Sequence, residues 1–175
     1  VISLVGSEMC IRDRNYRNSL EFYLVKARAE VANSKNLSSL KEFYLSKQKN
    51  NDNKIKLYKK YGLSLVLKEQ KKYEESFKAA RELLKEIPSN LIFQTNILEI
   101  HLAEGNSLEA ISIGERLLNV NSNNFSISYY LAKAYILDNN PEKAEEIFIN
   151  LSKENPRDPT AVSYTHLTLP TNSLV

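Results

Sequence analysis

Between Leu57 and Pro156 the chain repeats itself every 34 residues. Aligned on that period, Ser76, Ala110 and Ala144 share one column, and Leu83, Leu117 and Leu151 another. Pro88, Ser122 and Pro156 form a third, Ala80, Gly114 and Phe148 a fourth, and Leu67, His101 and Tyr135 a fifth. A period of this length, with small residues in mid-unit and Pro near its end, is that of a helix–turn–helix. One such unit leaves an apolar face uncovered, so copies must stack to share a core. Only four Gly and five Pro occur in 175 residues, which favours helix over a sandwich or barrel. The expected fold is all-α, an antiparallel helix-pair solenoid with a superhelical course and about eight helices.

The first helix is expected from Tyr16 to about Ala32, on Leu20, Tyr23, Leu24, Ala27 and Val31, and ends at Asn33 and Ser34. A second runs from Leu37 to Lys49 through Leu40, Phe43 and Tyr44. This hairpin, residues 15–53, reads as a degenerate repeat, because Glu42 stands where the small residue belongs. The polar stretch Lys49–Lys54 separates it from residues 54–161, which hold three repeats and the start of a fourth. Their helices are expected at Lys54–Lys68 and Tyr73–Ile87, Leu91–Glu104 and Leu108–Val120, and Phe125–Leu137 and Glu142–Lys153. Gly105-Asn106 and Asn139-Asn140-Pro141 make turns, and Asp158-Pro159-Thr160 opens the fourth unit.

Both ends depart from this pattern. Codons ATG TGT ATA AGA GAC AG encode Met9, Cys10, Ile11, Arg12, Asp13 and the start of Arg14. The opposite strand in another frame encodes Val162, Ser163, Tyr164, Thr165, His166 and Leu167. Residues 1–14 and 162–175 therefore resemble translated transposase-adapter DNA and are set aside as foreign. A signal peptide is not expected, since Glu8 and Asp13 interrupt the segment and it lacks an apolar core. The remainder, Asn15–Ala161, is expected to be an internal fragment of a longer protein, and it contains no Cys.

That remainder offers little chemistry. It has no Gly-rich phosphate loop, nucleophile elbow or H-E-x-x-H, so the fragment is not expected to be an enzyme or to hold a cofactor or metal. His101 shares a column with Leu67 and Tyr135, which points to packing rather than ligation. Glu145 and Glu146 diverge by about a hundred degrees around a helix and cannot act as a carboxylate pair. No run of about eighteen apolar residues is present to span a membrane.

The net charge of +3 hides an asymmetry. Asn15–Ser89 carries 17 Lys and Arg against 9 Asp and Glu, whereas Asn90–Thr160 carries 5 against 10. The halves could steer different partners or attract each other, but surface charge is weak and two solvated helix faces are the expectation. Lys59, Lys60, Lys71, Lys72 and Arg81 lie among Tyr58, Tyr61 and Tyr73. Glu69, Glu74, Glu75 and Glu82 break up that patch, and nucleic acid is not expected as a partner.

The 34-residue columns resemble the tetratricopeptide repeat. The resemblance implies a protein-binding scaffold whose first helices line a concave, peptide-binding face. Counted from the period, that face comprises Tyr58, Tyr61, Leu65, Lys68, Thr95, Glu99, Leu102, Tyr129, Lys133 and Ile136. Tyr61 and Leu65 occupy columns where a carboxylate-clamping repeat carries Lys and Asn, so that ligand is not expected.

A wider resemblance rests on Phe22-Tyr23-Leu24-Val25-Lys26-Ala27-Arg28-Ala29 and Tyr61-Gly62-Leu63-Ser64-Leu65 followed by three repeats. This run is similar to the C-terminal half of bacterial periplasmic zinc metalloproteases that assist outer-membrane β-barrel assembly. The resemblance implies a periplasmic accessory module that docks protein partners, among them the assembly machinery. The zinc and its H-E-x-x-H motif would belong to a catalytic domain outside this fragment. The alternative is a free-standing scaffold with no protease domain.

Overall fold

The computed structural model describes residues 19–47, 52–122 and 124–154. The terminal segments 1–14 and 162–175, and the expected entry to a fourth unit at Asp158–Thr160, lie outside the described residues. The described residues form eight helices: α1 (Leu20–Asn33), α2 (Leu37–Leu45), α3 (Asn53–Glu69), α4 (Tyr73–Glu86), α5 (Leu91–Glu104), α6 (Ser107–Val120), α7 (Phe125–Leu137) and α8 (Pro141–Glu154). They contain no strand. The chain is all-α and built as a tetratricopeptide-like array of helix pairs.

Short polar side chains start many of these helices by accepting hydrogen bonds from otherwise unpaired backbone N–H groups. Ser19 caps α1, Asn36 caps α2 and Asp52 caps α3. Asn90 accepts from Phe93 N at 3.1 Å and Asn124 from Ile127 N at 3.1 Å, so α5 and α7 begin alike one period apart. The second helix is shorter than its apolar pattern suggests. It ends at Leu45, where Ser46 N bonds back to Glu42 O and its hydroxyl to Phe43 O.

The turns inside the pairs share one geometry. Lys71 (φ 59°), Gly105 (φ 94°) and Asn139 (φ 55°) are all left-handed, and they stand 34 residues apart. In each, the following N–H closes on a carbonyl five residues back: Lys72 to Leu67, Asn106 to His101, Asn140 to Tyr135, at 2.9 Å each. This is the Schellman closure of a helix end. The Leu67/His101/Tyr135 column thus marks the carbonyl that every such turn uses.

Two compact units divide at Ile100/His101, inside α5. In the first, α3 packs against α1, α2 and α4. Its core joins Leu24, Ala27 and Val31 of α1 to Tyr44 of α2, to Leu57, Tyr58, Tyr61, Leu65 and Val66 of α3, and to Leu83 and Phe93. The N-terminal hairpin therefore seats on α3 as a preceding helix pair would, rather than standing apart from it. Ser64 and Ser76, both fully buried, exchange hydrogen bonds where α3 crosses α4; Ser76 Oγ donates to Ser64 O at 2.8 Å. A larger side chain there would force the helices apart.

In the second unit α7 packs between α6 and α8. Leu131, Ala132, Tyr135, Ala144, Phe148 and Leu151 form its core, and burying a Leu of this kind is worth about 2 kcal/mol. Ala110 and Ala144, from the small-residue column, are fully buried.

Candidate interaction face

Tyr58, Tyr61, Leu65 and Lys68 recur three and four apart and share one side of α3. That side is not open. Tyr58, Tyr61, Leu65, Thr95 and Glu99, which the period assigns to the binding face, are each buried. For the three α3 residues the reason is α1, whose Leu24, Ala27 and Val31 join the same core. The Tyr61 ring lies against the Phe93 ring at 5.9 Å, with the Arg28 guanidinium 5.7 Å above it. Thr95 donates its hydroxyl to Leu91 O of its own helix at 2.8 Å.

Two polar groups knit this side together. Glu30 of α1 accepts from Tyr44 OH at 2.7 Å and from Tyr58 OH at 2.5 Å. Burial, then the Glu30 carboxylate, pushes both phenols well above the ordinary tyrosine range. Glu99 of α5 pairs with Arg28 of α1 through Oε1 and with Lys68 of α3 through Oε2, the latter at 2.8 Å. Burial alone would raise the Glu99 carboxyl, but the two cations outweigh it and hold it below its usual value. Lys68 and Glu99 are thus brought together, as partners for each other.

Among the residues from His101 onward, the face looks different. Leu102 is half-buried at the end of α5. Tyr129, Lys133 and Ile136 follow at i, i+4 and i+7 and form one stripe of α7. The half-buried Tyr129 ring stacks on Phe125 at 6.4 Å and meets Phe148 edge-on at 6.2 Å, with the Lys133 ammonium 5.6 Å above it. Lys133 is exposed, and Ile136 is 39% exposed. This stripe combines a fixed aromatic ring, a cation and an apolar side chain, the elements of a peptide anchor site.

A cleft of about 370 Å³ opens elsewhere in this unit, lined by Leu118, Ser122, Ser128, Ile147, Asn150, Leu151 and Lys153. None of the expected face residues lines it. His101 is half-buried, with its Nδ1 away from solvent. Among the described residues, no group of three or more His, Cys, Asp or Glu is arranged to hold a metal ion, and no helix is long and apolar enough to cross a membrane.

Pattern reading assigns no polar role to Arg28, Glu30 or the Tyr44 hydroxyl. Arg28 lies inside the run that carries the protease resemblance, so a signal existed, but spacing alone assigns it no role.

Residues 101–164 match the tetratricopeptide repeat family. A comparison with curated proteins finds no match. From the last turn of α5 through α8, then, the chain contains a tetratricopeptide-repeat region, a class of helix-pair scaffold that mediates protein–protein interaction.

Proposed function

We propose that the chain docks extended or helical peptide segments of a protein partner, with Tyr129, Lys133 and Ile136 as its anchor stripe. The observation that carries this reading is the aromatic–cation–aliphatic row on α7, within the matched repeat region. A peptide pairing an apolar residue with an acidic one suits that row. Leu102 is assigned to the same face, whereas Tyr58, Tyr61, Leu65 and Thr95 are packed within the first unit.

The partner setting follows from the resemblance in Phe22–Ala29 and Tyr61–Leu65. On that basis the chain is the docking part of a membrane-associated or periplasmic zinc metallopeptidase that serves outer-membrane protein assembly and quality control. Zinc would reside in a separate catalytic domain, and this chain would bind without turnover. The repeat match by itself fits a free-standing scaffold equally well.

Two experiments separate these readings. Panning a peptide display library on the purified chain should select apolar–acidic motifs that Tyr129→Ala and Lys133→Glu each abolish; selection unchanged by both variants would refute the stripe. Sequencing the source gene upstream of Asn15 should reveal H-E-x-x-H, and its absence there would leave the free-standing scaffold. Proteolysis by the purified chain that a chelator stops would overturn both.

A further inference from the structure

In stacked helix-pair arrays each pair touches only its neighbours, so a terminal pair opens by itself before the rest. The first compact unit departs from that rule. Glu99 belongs to the third pair, yet its carboxylate is held by Arg28 of the first as well as by Lys68 of the second. Arg28 and Glu99 are 71 residues apart, more than two periods. The guanidinium spans the intervening helix α3 by lying over its Tyr61 ring. Tyr61 and Phe93 are fully buried beneath it, and the Glu99 side chain is 5% exposed. Removing α1 would therefore leave a buried carboxylate with one cation instead of two, and a lost charged hydrogen bond in a dry setting is costly. The boundary of the compact unit falls one residue beyond Glu99.

We propose that the Arg28–Glu99–Lys68 group is a staple that makes α1 through the first ten residues of α5 open as one cooperative body, suppressing separate fraying of the N-terminal hairpin. The Glu30–Tyr44–Tyr58 cluster is different, since it ties only adjacent pairs.

Native-state hydrogen exchange on the full chain in rising urea tests this. In the unaltered chain, α1 amides at Leu24, Ala27 and Val31 should show the same opening equilibrium as α4 amides at Ala80 and Leu83. Arg28→Met keeps the bulk of a side chain that is about a third exposed, and should lower α1 protection selectively, by about tenfold or more, with α4 unchanged. Tyr44→Phe removes one hydroxyl of the neighbouring cluster and should lower α1 and α4 together. The proposal fails if α1 already opens separately in the unaltered chain. It fails equally if Arg28→Met leaves α1 and α4 coincident, or if Tyr44→Phe releases α1 alone.

Discussion

The ring of Tyr44 stands in the space that a side chain at position 62 would need. A Cβ at Gly62 would lie 2.2 Å from Tyr44 Cζ and 2.4 and 2.6 Å from its two Cε atoms. Helix α2 thus approaches the backbone of α3 through a tyrosine that is itself fixed by Glu30 at 2.7 Å. Gly62→Ala must displace that buried ring, and we expect a loss of about 1–3 kcal/mol in urea unfolding. In a Tyr44→Ala background the obstacle is gone. There Gly62→Ala should stabilise by up to about 1 kcal/mol through helix propensity. A penalty of equal size in both backgrounds would show that the ring contact is not its source.

The three left-handed turn positions carry three different residues. Lys71 adopts φ 59° with a Cβ, at a position that favours glycine. Lys71→Gly should therefore stabilise the chain by roughly 0.5–1 kcal/mol. Gly105 has φ 94° and open space around it, so Gly105→Ala should cost about 1 kcal/mol through backbone strain alone. Denaturant midpoints at constant slope would check both.

Glu99 sets an acid limit. Its folded carboxyl is held below the ordinary value of 4.5, so its stabilising contribution is present above that pH and is lost as pH falls through the depressed folded value. Glu99→Gln should cost about 3 kcal/mol at neutral pH. It should also remove part of the acid dependence, leaving a shallower stability profile below about pH 4.5. An unchanged acid profile in the variant would count against the pairing.

Tyr135 behaves in the opposite sense. Burial, reinforced by its 2.5 Å hydrogen bond to Glu115, pushes its hydroxyl up to about 12 from 10.0. The stability that it contributes is intact below about pH 10 and falls as the pH rises towards about 12, because the unfolded state ionises first. In an ultraviolet titration Tyr135→Phe should remove the absorbance change that falls towards about pH 12, leaving the later ionisation of Tyr44 and Tyr58 in place.

What the sequence reveals depends on the period. Ser76, Ala110 and Ala144 repeat with it, and the structure buries all three completely. The helix pairs are legible for the same reason, since stacking repeats a small set of contacts. Which side of α3 meets solvent is not legible. From Tyr61 to Leu67 apolar residues surround that helix, the single polar one, Ser64, is itself buried, and no polar face marks the outside there. The pairing of Arg28 with Glu99 escapes for a different reason: their separation fits no multiple of 34, and Arg28 lies outside the aligned columns.

The common elbow at Lys71, Gly105 and Asn139 has a consequence for how such a chain can grow. Each elbow sets the angle between its own two helices through bonds made within six consecutive residues, from Leu67 to Lys72 in the first case. Duplication or excision of a whole 34-residue module would therefore carry its bend along intact, and length could vary without redesign of the joints.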